Sequence, residues 1–221
     1  MTIIPGDSVP LIAQKLAAAK VCSVADFITA VNSYAFTENS MSQIPYDASK
    51  ICFRLEGYLY PDTYQFYVNM KPEYAIGMML KGADSHIGNN YSYSGMTTYQ
   101  IVTLASIIQK EANDIDTMKK VSSVLHNRLN NPKGYAYLGC EATRNYLTKY
   151  IFSIDTAFGS HLVDQYKIYY NTNQVNGEAR RKGLPTGPIC SPYANALDAA
   201  AHPADTPYFN FSTDATGYHF S

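Results

Sequence analysis

The apolar residues of this chain recur every three or four positions in five stretches, the period of a helix with one buried face. After a short extended start and a turn at Pro5-Gly6, the first helix carries Leu11, Ile12, Leu16 and Ala19, with Asp7 or Ser8 as its cap. Ser23 caps a second, with Phe27, Ile28 and Val31 inward and Asp26 at its third position, where a negative charge suits a helix start. Tyr74, Ile76, Met79 and Leu80 mark a third over 72–83. Thr97 and Gln100 have the spacing of a capping box, opening a helix to about Asn113. Asp114 or Asp116 then starts a helix to about Asn130, with Met118, Val121, Val124, Leu125 and Leu129 apolar.

Between these stretches the pattern changes. Residues 34–50 are mixed and polar, the best linker candidate. Residues 51–67 alternate around aromatic side chains and predict extended chain broken at Pro61-Asp62. Residues 84–96 are rich in Gly, Asn and Ser and predict a loop. Beyond Asn131 the chain reads as loop-rich, with a short polar helix near 141–149, turns at 183–188, an Ala-rich helix over 193–201 and a strand at Tyr208–Phe211. Helices and short strands alternate without a strand–helix–strand rhythm, so the expected class is α+β. The expected division is a small N-terminal helical subdomain over 1–50 and a larger domain over 51–221.

Composition changes this picture little. A net charge of −1 in 221 residues gives no field for nucleic acid or an anionic membrane. Tyrosine is abundant, 20 residues against no tryptophan. That fits first a core and strands in which Tyr replaces Trp and Phe, and second stacking on sugar rings. Cys22, Cys52, Cys140 and Cys190 are too far apart for a CxxC pair, and two disulfides or four buried thiols are equally open. No run approaches the roughly 20 apolar residues of a membrane span.

One acidic residue stands out by position. Ile101, Leu104, Ile108 and Glu111 fall on one helical face, joined by Ile107, so a carboxyl continues an apolar stripe at a helix C-terminus. Desolvation and the negative end of the helix both favour its protonated form, as a general acid requires. The same spacing also describes an ordinary last-turn glutamate paired with a lysine. The five histidines show no metal-binding spacing, and no GxSxG, P-loop or GxGxxG motif occurs. Ser106 reads as a packing residue. Asn127-Arg128 reads as a helix end or as a binder of substrate oxygen. Glu56 and Asp62 flank the aromatic stretch, Asp62 as a turn residue.

Several blocks then fall in one order. They are Leu55-Glu-Gly-Tyr-Leu-Tyr-Pro-Asp-Thr-Tyr64, Leu104-Ala-Ser-Ile-Ile-Gln-Lys-Glu111, Val121 to Leu129, Tyr170-Asn171-Thr172 with Lys182 to Ile189, and His202 to Phe209 with His219-Phe-Ser221. Together with Ile4-Pro-Gly6 and its helix, they resemble the MltG/YceG-like family of endolytic murein transglycosylases across nearly the whole chain. The resemblance implies an enzyme that cuts peptidoglycan glycan strands internally at the MurNAc–GlcNAc bond, leaving 1,6-anhydro-MurNAc ends, without metal or cofactor. It further implies action at the extracytoplasmic face of the bacterial cell membrane, an anchor helix outside these residues, and at most the tail of a LysM-like region within residues 1–50. Expected partners are glycan strands and the cell-wall synthesis machinery.

Glu111 matches the family's catalytic glutamate. Glu141, Thr143, Tyr170, Asn171, Thr172 and Asn127 form the expected substrate-binding set. The family's LQTDPT block reads here Leu138-Gly-Cys-Glu-Ala-Thr143, so Gly139, Glu141 and Ala142 depart from it, as do Asn173 and Ser191 elsewhere. Two rival readings follow: a muramidase-type hydrolase, and a non-catalytic glycan-binding or scaffold module.

Overall fold

A computed structural model describes residues 1–88, 90–93, 95–154, 161–173 and 181–221. The elements in order are α1 (Val9–Ala18), α2 (Val24–Ser33), a 3-10 turn (Asn39–Gln43), α3 (Pro72–His86), α4 (Thr98–Glu111) and α5 (Ile115–Asn130). Then come α6 (Glu141–Asn145), a π-helical segment (Tyr146–Ile151), α7 (Leu162–Tyr170), α8 (Ala194–Ala201) and a hairpin of β1 (Phe211–Asp214) and β2 (Gly217–Phe220). This mixed, mainly helical α+β arrangement agrees with the class expected from the pattern.

The centre of the fold is α4. Every residue from Ile101 to Ile108 is buried, so the stripe predicted for one face extends around the whole helix. It packs on α5 and on α8, whose Ala196, Ala199, Ala200 and Ala201 let the helices approach closely. Its start is fixed by the predicted capping box: Thr97 Oγ1 accepts from Gln100 N at 3.2 Å, and Gln100 Oε1 accepts from Thr97 N at 2.8 Å. The predicted caps Ser23 and Asp114 likewise hold α2 and α5.

The start of α1 is different. Ser8 stands at the cap position, but its side chain makes no capping bond. Instead both carboxyl oxygens of Glu56 accept from Val9 N at 3.1 Å, a cap supplied from 47 residues away. Tyr74, expected inward on α3, is 57% exposed. One hydrophobic cluster runs from Ile3 to Ala201, with members on both sides of position 50. Among the described residues no disulfide joins the cysteines.

Three expectations need correction. Residues 51–67 are turns with one isolated pairing, Thr2 with Thr63, because Gly57 (φ +84°) and Pro61 break any ladder. The region after Asn131 contains α7, which has no readable start: His161 precedes it with φ 104° and no side-chain cap. The strand expected over Tyr208–Phe211 begins only at Phe211, as β1, and it pairs with β2 through Phe211–Phe220 to Asp214–Gly217. Backbone oxygens of 206–209 are instead taken by side chains of α5.

Candidate active site

With its start capped and its body inside the core, α4 ends at a fixed place, and its last residue is Glu111. Ala112 is extended (φ −145°, ψ 158°), so the helix stops at once. The main-chain carbonyl of Glu111, left without a helical partner, accepts from Tyr218 Oη of the hairpin. The half-buried side chain lines a cavity of about 290 Å³. Burial raises its pKa above the ordinary carboxyl value. The Ala142 N–H opposes the shift, the Glu141 carboxylate adds to it, and the Arg128 guanidinium opposes it. A carboxyl pushed up in this way holds its proton to higher pH than an exposed one, the direction a general acid needs.

The opposite walls come from the short helix and the π-helical segment. Glu141, Ala142 and Asn145 supply one side, and Tyr146, Lys149 and Tyr150 the next. Such wide turns are rare and concentrate at functional sites. Lys110 and Ile189 close the cavity near Glu111. Behind the wall, Tyr146 Oη donates to Glu56 Oε2 at 2.8 Å. Complete burial raises the Glu56 pKa to about 8, against hydrogen bonds from Tyr146, Val9 and Gly57 and the field of Lys110. Larger hollows exist, including one of about 540 Å³ between α2 and α3, but it contains none of the expected residues. Chemistry, not size, selects the site.

The expected set divides into three. Glu111 and Glu141 line one cavity. Thr143, Tyr170, Asn171 and Thr172 are buried behind it. Thr143 Oγ1 donates to Cys140 O at 2.7 Å, accepts from Thr172 N at 3.0 Å and lies 3.0 Å from Thr172 Oγ1. Asn171 Oδ1 accepts from Asn173 N, and the Tyr170 ring packs on Tyr146 with centroids 5.2 Å apart. As placed, these four are buried and outside the cavity lining. Asn127 is not in the cavity lining. Its amide donates to the carbonyls of Thr206 and Tyr208 at 2.8 Å, and it borders a separate hollow.

Sequence reasoning missed Arg128 as an organiser. Its Nε donates to Phe209 O at 2.6 Å, another nitrogen to Leu138 O, and a third to Asn210 Oδ1 at 3.3 Å. It thereby ties α5 to both the segment before Glu141 and the C-terminal chain, while its charge reaches Glu111. Gly139, where the family pattern has Gln, adopts φ +72°, and a Cβ there would lie 3.3 Å from Arg128. The departure therefore suits this backbone. The cavity residues Lys110, Asn145, Tyr146, Lys149 and Tyr150 were also missed. A four-residue spacing from Tyr146 to Tyr150 was the available signal, but the pattern gave no reason to place those rings beside Glu111.

Compared with known proteins, the chain matches the YceG-like family over residues 1–221. It is 26% identical over 181 residues to an endolytic murein transglycosylase of Streptococcus pneumoniae, a match covering 80% of this chain and 31% of that protein. The protein of the same name from Bacillus subtilis is 28% identical over 170 residues, covering 74% of this chain and 43% of the relative. The chain thus spans less than half the length of these curated relatives. A solved YceG-like protein from Listeria monocytogenes superimposes with a TM-score of 0.74 at 27% identity, covering 100% of this chain and 72% of that one.

Proposed function

The chain belongs to the YceG-like family, and from that premise we propose that it is an endolytic lytic transglycosylase with Glu111 as its single acid. It cuts the MurNAc–GlcNAc bond within peptidoglycan strands. The observation that carries this reading is a desolvated carboxyl lining a cavity at the end of a fully anchored helix.

Protonated Glu111 donates to the oxygen joining MurNAc to GlcNAc, and the bond from that oxygen to the MurNAc anomeric carbon breaks. Positive charge develops at the anomeric carbon. The Glu111 carboxylate then takes the proton of the MurNAc 6-hydroxyl, whose oxygen bonds to the anomeric carbon and closes the 1,6-anhydro ring. The acid is regenerated and no water is consumed. Favouring an internal hydroxyl over water requires holding it close and keeping solvent away. The closely packed wall of Tyr146, Tyr170, Thr143 and Thr172 supports that requirement by fixing the cavity shape. Glycan strands are then the substrate and the cell-wall synthesis machinery the setting, at the extracytoplasmic face of the membrane. Attachment there would rest on an anchor outside these elements, since among the described residues no helix is long and apolar enough to cross a membrane.

Glu141 beside Glu111 favours one second reading, a hydrolase in which Glu141 activates water. Product mass separates the two, because an anhydro end is lighter than a reducing end by one water. Glu111→Gln is expected to reduce strand cleavage by at least about a hundredfold, within the usual contribution of a general acid, with the circular dichroism spectrum unchanged. Near wild-type cleavage by that variant would remove Glu111 from the chemistry, and reducing-end products alone would replace the transglycosylase by the hydrolase.

A further inference from the structure

Two lysines line the cavity that Glu111 occupies. Lys110 immediately precedes the acid on α4, and Lys149 lies on the π-helical segment. Lys110 is exposed but not loose. Its Nζ donates to Gly6 O at 3.2 Å and to Tyr150 Oη at 3.5 Å, and it lies 5.4 Å from the centre of the Tyr150 ring. Each of these partners is neutral. Among the described residues neither Lys110 nor Lys149 is within ion-pair distance of a carboxylate.

Ionisable side chains of both signs line the cavity. Against two ammonium groups stand Glu141 and Glu111, and burial favours the neutral form of Glu111. The buried carboxyl that feels Lys110, Glu56, is also pushed toward its neutral form. A held cation with no carboxylate at ion-pair distance, lining the same cavity as the proposed acid, fits an anionic group brought by the substrate.

We propose that Lys110 and Lys149 form a carboxylate-recognition subsite that selects which MurNAc residue is presented to Glu111. The proposal rests on the transglycosylase reading above. In the glycan backbone the acidic substituent is the lactyl carboxyl on C3 of MurNAc, in the same ring as the anomeric carbon that is cut. Where a stem peptide is attached, that carboxyl is an amide and the peptide supplies its own carboxylates. Either source carries a carboxylate on the ring whose anomeric carbon reacts, or on that ring's substituent, and both lysines line the cavity that holds Glu111.

The test uses the 221-residue chain and three strand preparations: peptide-free strands with the lactyl acid free, the same strands with it capped as the methylamide, and peptide-bearing strands before and after amidation of the peptide carboxyls. The free acid is expected to raise kcat/KM about fivefold over its amidated counterpart, through KM, as for one exposed ion pair. If the preference appears in the peptide-free pair, the lactyl group is the ligand; if only in the peptide-bearing pair, the stem is. Lys110→Met and Lys149→Met should each shrink the preference, and the exposed Lys149 leaves the fold intact even if Lys110→Met does not fold. Equal cleavage of acid and amide strands in both pairs, or an unchanged preference in Lys149→Met and a folded Lys110→Met, overturns the proposal. Binding of the same strands to Glu111→Gln, followed by calorimetry, separates this outcome from failure of the transglycosylase reading. Loss of cleavage by the wild type removes that reading, whereas equal affinity for acid and amide strands removes the subsite.

Discussion

The carboxyl of Glu56 has two opposed influences on it. Burial without exposure to solvent raises its pKa from the ordinary 4.5 to about 8, while Tyr146 Oη and Val9 N donate to it. The folded state therefore binds this proton more tightly than the unfolded chain. The stabilisation is fully present below the ordinary carboxyl value and is lost as pH rises through about 8. Glu56→Gln removes the titration, so its melting temperature should fall less than that of the wild type across that window, as measured by calorimetry at several pH values. Parallel pH curves for the two proteins would show that Glu56 is not the titrating group. Glu111 was legible as an acid on an apolar helical stripe. Glu56 was visible only as a glutamate in an aromatic stretch, because its partners Val9 and Tyr146 lie 47 and 90 residues away.

At the scale of elements, local signals were sufficient wherever the stabilising bonds are local. The Thr97–Gln100 box, the Ser23 cap and the Asp114 cap all occur where the spacing predicts them. Thr97→Ala leaves the Gln100 N–H without its side-chain acceptor at an exposed helix start. It should lower stability by about 1 kcal/mol in denaturant unfolding with strand cleavage retained, since the core still fixes the last turn of α4. A loss of cleavage larger than the loss of folded protein would show instead that the cap controls the position of Glu111. Local signals failed at α7, which starts without a cap, and at 51–67, where aromatic alternation suggests a strand but turns through Gly57 and Pro61 prevent one. The same failure explains the binding set. Thr143 and Thr172 read as polar groups available to sugar, yet they are opposed across two segments and satisfy each other.

Across the whole molecule, blocks far apart in sequence meet around α4. Gly57 adopts φ +84°, and a Cβ there would lie 2.6 Å from the Pro188 ring and 3.0 Å from Val102. Ile189 N donates to Ser106 Oγ at 3.0 Å, and Cys190 Sγ approaches Ser106 O. A Cβ on Gly187 would lie 2.5 Å from Tyr99 Oη. The blocks around Gly57 and Pro188 thus interlock against the helix that ends in Glu111. Gly57→Ala should cost roughly 2–4 kcal/mol, combining a left-handed backbone with overpacking, and should shorten the lifetime of cleavage activity on warming. A melting temperature within a degree or two of the wild type would show that the Pro188 segment moves aside readily.

The sequence by itself determined where most helices begin, that the class is α+β, and that Glu111 continues the apolar surface of one of them. Those features depend on bonds and contacts within about one turn of chain, so spacing records them. Only the tertiary structure decided what surrounds that carboxyl. Lys110, Glu141, Tyr146, Lys149 and Tyr150 share a cavity with Glu111, while Asn127 and the 170–172 segment lie outside its lining. The deciding contacts join residues tens of positions apart, and their geometry follows from how α4 is enclosed rather than from any local pattern.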